Sequence, residues 1–475
     1  MPLFEITEEQ ILNRIRFENP WWKDGQIDEF YESMNRRLYF SKFLPLVMDK
    51  RIKRAAVLMG PRRVGKTVMI YHTIQELIQR GIDPLKICYL SIETPVFNGI
   101  GIEELFSYCR KAVGKKDDIN DYYVFFDEVQ YLKEWEVHLK SLVDSYHRTK
   151  FIVSGSAAAA LKLKSNESGA GRFTDFTLPP LTFHEYIHLK DLDNLIYPNT
   201  KIWNNKEIKV YDTIDIGELN NHFIDYINFG GYPEVSLSKE IQANPGRYIK
   251  SDIIDKVLLR DLPSLYGIQD VQELNSLFTT IAFNSGNEFS YDSLSVSSGV
   301  SKNTIKKYIQ YLEAAFLIRV VNRIDLNGKK FKRANYFKIY LTNPSLRSAL
   351  FSPIKSDADL MGNMVETAIY SQWFHRHWHT PFYSRWNKGE VDIVGIKKDT
   401  LKPLWAVEIK WSNRYFDKPE ELKSLSTFLN KNKLKRAIVT TIDINKEIDF
   451  KDYIFDYIPS SLYCYTIGKR TLETD

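Results

Sequence analysis

Ala55-Ala56-Val57-Leu58-Met59 runs without a break into Gly60-Pro61-Arg62-Arg63-Val64-Gly65-Lys66-Thr67, and this stretch decides the fold. Five apolar residues in succession suit a strand buried on both faces. The spacing G-x-x-x-x-G-K-[ST], placed straight after a strand and ahead of a helical pattern over Lys66–Arg80, is that of a phosphate-binding loop. The glycines let backbone N–H groups turn toward phosphate oxygens, and the helix N-terminus adds partial positive charge. Lys66 would neutralise the β- and γ-phosphates of ATP, and the Thr67 hydroxyl would ligate Mg²⁺.

Outward from the loop, short apolar runs alternate with helical patterns. The first strand, Arg54–Met59, is followed by Ile87–Ile92, Tyr122–Asp127, Phe151–Gly155 and Phe173–Leu178; helices are expected over Glu103–Ala112 and Trp135–Tyr146. Such alternation predicts a parallel sheet covered on both faces. Tyr122–Asp127 ends in Asp127-Glu128: Asp127 suits a Mg²⁺ contact, and Glu128 is placed to polarise an attacking water. The pair favours ATP hydrolysis over a GTP switch. Ser154 or Ser156 reads either as a hydrogen-bonding sensor of the γ-phosphate or as the cap of a helix over 157–163. Arg172 reads either as an arginine finger for a neighbouring subunit, which would make the chain a homo-oligomer, or as a surface arginine.

Pro179-Pro180 closes this block, and residues 191–215, rich in Asn, Asp and Lys, read as a linker or insertion. A short helix opens at Phe289–Leu294, Ser298-Gly299-Val300 makes a turn, and Ser301 N-caps a second helix. Ile305, Ile309 and Leu312 form its apolar stripe, with Lys302, Asn303, Lys306, Lys307 and Gln310 largely off it. A basic, amide-bearing face on the second helix is what major-groove docking uses. Val320–Leu326 and Phe331–Leu341 then read as a hairpin around Asn327-Gly328, its tip crowded by Lys329, Lys330, Lys332 and Arg333. Together these predict a winged helix with a basic wing, either contacting DNA or packing as a lid.

In the last hundred residues, Met364–Trp373 reads as a helix carrying Glu366. Glu390–Val394 and Trp405–Lys410 read as consecutive strands, with Asp392 facing away from Val391 and Ile393. A hairpin would bring Asp392 beside Glu408. The two carboxylates would then hold a divalent metal, Glu366 would complete the site, and Lys410 would orient or deprotonate water. Two other readings stand beside this one: a fold of the same kind without cleavage, and charges that merely solvate a sheet face. Trp21-Trp22 reads as a packing anchor.

GPRRVGKT, FFDEVQYLKEW, VSGS and AGRFTDFTLPPLTFHEY resemble the prokaryotic AAA-type ATPases that carry a C-terminal domain of unknown function, and the likeness continues through Phe229–Pro233 and Val257–Pro263. The resemblance implies an α/β chain with a P-loop AAA+ parallel-sheet ATPase core, a helical lid and winged helix, and a C-terminal restriction-endonuclease-like α/β domain. Thr342 stands where such chains often carry Asp after the wing. Arg36, Arg37 and Tyr39 lie where the family's adenine contacts tend to fall. The helix Glu366, strand Asp392 and Glu408-x-Lys410 series is similar to the PD-(D/E)XK nuclease superfamily. The expected partition is 1–190 for the ATPase core, 191–350 for linker, lid and winged helix, and 351–475 for the nuclease-like domain.

At 475 residues, with 44% hydrophobic and 26% charged residues, the chain has ordinary globular composition, which excludes a disordered or collagenous chain. No apolar run approaches the ~18 residues of a spanning helix, and the N-terminus MPLFEITEEQ has no basic leader, so no membrane contact and a cytoplasmic location are expected. Cys88, Cys109 and Cys464 are too few and scattered to predict a disulfide framework or a zinc site. The net charge of +5 is too near balance to argue nucleic-acid binding alone, so any basic surface must be local.

Overall fold

The computed structural model describes residues 6–114, 121–156, 171–203, 206–329, 335–375 and 380–473. The chain gathers into two compact units, Met1–Pro179 and Pro180–Asp475.

The first unit is built on five parallel strands, β1 (Ala55–Met59), β2 (Ile87–Ser91), β3 (Tyr123–Asp127), β4 (Lys150–Gly155) and β5 (Phe173–Thr177), in the order β2-β3-β4-β1-β5. Every residue of β1, β3 and β4 is buried, as expected for continuous apolar strands with helices on both faces. Helices α1 (Glu8–Glu18), α2 (Phe40–Met48), α3 (Lys66–Gln79), α4 (Ile102–Ala112) and α5 (Trp135–Ser145) belong to this unit. The strands, α3, α4 and α5 begin and end within one residue of the sequence reading. The helix expected over 157–163 lies outside the described residues.

The N-terminal segment covers the edge strand β2. Asn19 donates to the Tyr89 carbonyl at 2.8 Å and accepts from its N–H at 2.7 Å, as a neighbouring strand would. Both indole N–H groups of Trp21 and Trp22 donate to the Ile87 carbonyl, at 3.0 and 2.7 Å. The tryptophan pair is therefore a hydrogen-bonded guard on an open sheet edge as well as an anchor. Cys88 on β2 and Cys109 on α4 are joined as a disulfide, which corrects the expectation drawn from their scatter: strand and helix bring together what the sequence separates.

The second unit opens with α6 (Phe183–Leu189). Residues 191–215 are not a linker: β6 (Ile196–Trp203) and β7 (Lys206–Thr213) form an eight-pair antiparallel hairpin. Most of β6 is exposed or half-buried, so its polar sequence carries no strand alternation to read. After α7 (Ile216–Phe229) and α8 (Val271–Phe283) comes a nine-stranded sheet. Its strands are β8 (Glu288–Ser290), β9 (Ile318–Ile324), β10 (Tyr336–Leu341), β11 (Phe382–Trp386), β12 (Gly389–Ile396), β13 (Pro403–Glu408), β14 (Arg436–Thr441), β15 (Lys446–Phe450) and β16 (Tyr453–Pro459), ordered β15-β16-β14-β13-β12-β11-β9-β10-β8.

Helices α9 (Tyr291–Ser298) and α10 (Lys302–Ala314) precede β9; Gly299, at φ +75°, ends the first, and Ser301 caps the second. Asn327-Gly328 is not a two-residue hairpin turn. Asp325 accepts from the N–H groups of Asn327 and Lys329, and the connection to β10 is longer than the sequence suggested. Lys330, Lys332 and Arg333 lie outside the described residues. The boundary expected at 350/351 is crossed by the sheet, because β9 pairs in parallel with β11 (Arg323 with Tyr383). Phe183, Tyr226 and Tyr340 share one apolar core with Ile369 of α11 (Met361–Trp373), Val407, and Cys464 of α13 (Ser460–Glu473). The second core, on Val391, Val394 and Ala406, is closed by Leu425 and Phe428 of α12 (Lys423–Asn432). Segments read as separate domains thus bury apolar area together.

Candidate functional site

Met59 ends β1, and the loop to Lys66 follows at the C-terminal edge of the parallel sheet, where α/β folds place ligands. Two glycines there have separate steric reasons. A methyl group at Gly60 would stand 2.2 Å from the Leu178 carbonyl oxygen, which passes the loop as Leu178 N–H bonds the Met59 carbonyl. Gly65 has φ +93°, a left-handed conformation that opens the first turn of α3. Lys66 is buried; its ammonium donates to the carbonyls of Gly60 (3.3 Å) and Pro61 (3.0 Å) and lies 3.9 Å from Glu128 Oε1.

Strands β1 and β3 are not neighbours, because β4 lies between them. Asp127, at the end of β3, still reaches the loop: Thr67 Oγ1 donates to Asp127 Oδ2 at 2.8 Å. Ser154 of β4 bridges the acidic pair, donating to Asp127 Oδ1 and accepting from the Glu128 N–H at 3.2 Å. Ser156 takes a different place, its N–H donating to Gln130 Oε1 and its buried hydroxyl finding no partner among the described residues. Burial, then the neighbouring Glu128 charge, push the Asp127 carboxyl above its ordinary range, against the hydrogen bonds from Ser154 and Thr67 and the charge of Lys66. The Thr67 hydroxyl and Asp127 carboxylate, a hard oxygen pair beside the loop, fit a Mg²⁺ ion.

Two participants, Tyr89 and Gln130, were not foreseen, and Arg37, which the resemblance set near the adenine, has a bracing role the sequence did not mark. Tyr89 on β2 donates to Asp127 Oδ2 at 3.0 Å. Gln130 donates to Glu128 Oε2, tying that carboxylate to the end of β4. Arg37, buried, donates to the Val64 carbonyl at 2.6 Å and the Pro179 carbonyl at 3.0 Å, so it braces the loop. Nothing local marks these roles, since each depends on a partner distant in sequence. Arg36 pairs with Glu76, and Tyr39 packs edge-on against Phe176. Arg62 bonds the Tyr131 hydroxyl, and Arg63 takes φ +63° within the loop. Arg172 pairs with Asp144 of its own chain.

In the second unit, antiparallel pairing of Ile393 with Val407 sets Asp392 level with Glu408. A bulge in β12 breaks the expected alternation: Val391 and Val394 enter one core and Ile393 the other. Asp392 Oδ2 accepts from the Ile409 N–H at 2.7 Å. Lys410 Nζ lies 2.8 Å from Glu408 Oε1 and 3.7 Å from Asp392 Oδ2. Burial, with the Asp392 charge, pushes the Glu408 carboxyl up to about 7 against the pull of Lys410. Burial alone would lower Lys410, but Glu408 and Asp392 outweigh it and hold the group as an ammonium above its ordinary range.

The third carboxylate is engaged elsewhere: Glu366 accepts from Lys338 Nζ at 2.9 Å and from the Tyr340 hydroxyl. Among the described residues no group of three or more His, Cys, Asp or Glu side chains is arranged to hold a metal ion. Glu408 Oε2 is buried with no hydrogen-bond partner among those residues, so Asp392 and Glu408 fit a divalent cation, whereas Glu366, committed to Lys338, does not. On α10, Lys302, Asn303, Lys306, Lys307 and Gln310 are all exposed, while Ile305, Ile309 and Leu312 are buried. Thr342 donates to the Phe316 carbonyl.

Residues 52–187 match the family of an AAA domain, and the chain carries an AAA-type P-loop domain; residues 220–358 match a domain of unknown function, DUF8612. An uncharacterized protein of Methanocaldococcus jannaschii is 24% identical over 416 residues, covering 85% of this chain and 86% of that protein. An uncharacterized protein of Haemophilus influenzae is 24% identical over 403 residues, covering 83% and 91%. Solved structures with some likeness include the Aeropyrum pernix Orc1 protein in complex with DNA, at 11% identity and a TM-score of 0.33 over 70% of this chain and 95% of that one. The S. cerevisiae Hsp104–ADP complex follows at 14% identity and a TM-score of 0.31, over 62% and 40%. Among the described residues no helix is long and apolar enough to cross a membrane.

Proposed function

We propose that the chain binds and hydrolyses ATP in its first unit and acts on DNA through its second. The observation that carries the ATPase reading is the hydrogen bond from Thr67 to Asp127, with Glu128 beside it and Lys66 at the loop. The backbone of Gly60–Thr67 and the Lys66 ammonium would hold the phosphates. Glu128, oriented by Gln130, would take the proton of the attacking water. Ser154, bonded to both acidic residues, would couple that chemistry to strand β4. Thr67 and Asp127 would hold Mg²⁺, which would supply positive charge against the charge developing on the phosphates.

For the second unit we read α9, α10 and the β8-β10-β9 strands as a winged helix whose exposed α10 face contacts duplex DNA. Asp392 and Glu408 would hold a divalent cation, and Lys410 would orient the water or the scissile phosphate. The metal's contribution would be to polarise the phosphate and acidify that water. Purified protein incubated with plasmid and linear DNA, with Mg²⁺ or Mn²⁺ and with or without ATP, tests this. Metal-dependent cleavage that Asp392→Asn removes supports the reading.

A second reading draws on the engagement of Glu366 by Lys338. There the chain is an ATP-driven switch that binds DNA or a protein and does not cut. DNA-stimulated ATP hydrolysis with intact DNA supports it.

A further inference from the structure

Lys338 sits on β10, in the second strand of the expected wing and with no site role read from the sequence, yet only 4% of it is exposed. Its ammonium lies 2.9 Å from Glu366 Oε1 and 2.5 Å from Glu390 Oε1. Tyr340, two residues along the same strand, donates to the same Glu366 oxygen. Glu390 is engaged a second time, by Arg385 at 3.2 Å. The two carboxylates nearest Lys338 thus already have cations of their own chain.

Asp392 and Glu408 share one cation, Lys410, at 3.7 and 2.8 Å. Glu408 Oε1 pairs with Lys410, but Glu408 Oε2 is buried and has no partner among the described residues. A carboxylate oxygen left unpaired away from water is costly, and a hard cation is the partner that suits it. Lys338 and Tyr340 both hold Glu366 Oε1, so a divalent ion there would meet the Lys338 ammonium, whereas Glu408 offers an oxygen that Lys410 does not hold.

Resting on the reading of Asp392 and Glu408 as a metal site, we infer that Lys338 is a built-in cation that withdraws Glu366 and Glu390 from the donor set. The site then takes a single divalent ion, held by Asp392 and Glu408 without Glu366. Lys338 is a positioning residue: it sets how many ions bind and where, without touching the ion itself.

Titration of the full-length, nucleotide-free chain with Mn²⁺, read by electron paramagnetic resonance and calorimetry, tests this. The wild type should bind one Mn²⁺ that Asp392→Asn weakens at least about tenfold, while Glu366→Gln leaves its affinity within about twofold. Lys338→Met should free Glu366 and either add a second Mn²⁺ or tighten binding about tenfold, and the double variant Lys338→Met/Glu366→Gln should return to the wild-type count. If Glu366→Gln weakens Mn²⁺ as much as Asp392→Asn does, Glu366 is a ligand and the inference is overturned while the metal site stands. If the wild type takes up no Mn²⁺ that Asp392→Asn removes, the metal-site reading falls and takes the inference with it. Should Lys338→Met fail to fold, the Glu366→Gln comparison decides alone.

Discussion

Replacing Arg37 by Met removes the brace beneath the phosphate loop while keeping much of the side chain's apolar stem. The guanidinium donates to the carbonyls of Val64 and Pro179, and the residue is 5% exposed, so water cannot readily replace it. Hydrogen bonds from a charged donor contribute about 1.5–3 kcal/mol each, which puts the loss at about 3–6 kcal/mol if neither carbonyl finds a new donor. At roughly 2–4 °C per kcal/mol for a unit of this size, even the lower figure should lower the first unit's melting temperature by roughly 6–12 °C. Val64 lies within the loop itself, so part of the loss should emerge as weaker nucleotide binding. About 1.4 kcal/mol of lost preorganisation corresponds to tenfold in Kd. Differential scanning calorimetry and titration with a fluorescent ATP analogue measure both. Arg37→Lys, which keeps the charge without the planar fork, should fall between wild type and Arg37→Met. A variant that melts within about 2 °C of wild type and binds the analogue equally well would refute the reasoning, because the brace would then carry no free energy.

Lys66→Ala should abolish ATP binding without unfolding the unit, whereas Glu128→Gln should bind ATP and fail to hydrolyse it; equilibrium binding and phosphate release separate the two, and normal turnover in Glu128→Gln would assign the base elsewhere. Changing Lys306, Lys307 and Lys329 to Ala should weaken duplex binding and reduce the log–log salt slope by about 0.9 for each DNA phosphate no longer neutralised, and an unchanged slope would mean these exposed lysines are merely solvated. His184 is buried edge-on against Tyr465, and burial, with the Lys469 charge, pushes its imidazole down to about 3 from 6.5. The unfolded chain therefore binds the extra proton first as pH falls below 6.5, and stability should drop there by up to about 1.4 kcal/mol per pH unit, with no His184 contribution above it. His184→Phe should flatten that limb, and parallel curves for both proteins between about pH 6.5 and 4 would count against it.

Much of the first unit was legible because its signals are local. A strand buried on both faces must be a continuous apolar run, and a loop that turns its N–H groups inward needs glycine at set positions. The strand limits accordingly agree to one residue, and Asp127 and Glu128 fall at a strand end. The order β2-β3-β4-β1-β5 was not legible, because which strand slots between β1 and β3 depends on packing across the whole sheet. That order is what brings Ser154 to Asp127 and Glu128. In the second unit, the hairpin over 196–213 escaped notice because its first strand, polar and largely open to water, carries no apolar alternation. The bulge in β12 escaped because one extra residue leaves no mark in composition.

By itself the sequence determined the phosphate loop, the parallel α/β character of the unit around it, and the residue types able to hold phosphate, polarise water or bind a cation. These follow from backbone sterics and side-chain chemistry within a few consecutive residues. Only the tertiary structure decided that Lys338 would claim Glu366, that Glu408 would keep one buried oxygen unpaired among the described residues, and that Arg37 would brace Val64. Each depends on groups far apart in the chain meeting in a dry interior, where an ion pair is strong and an unpaired charge is costly.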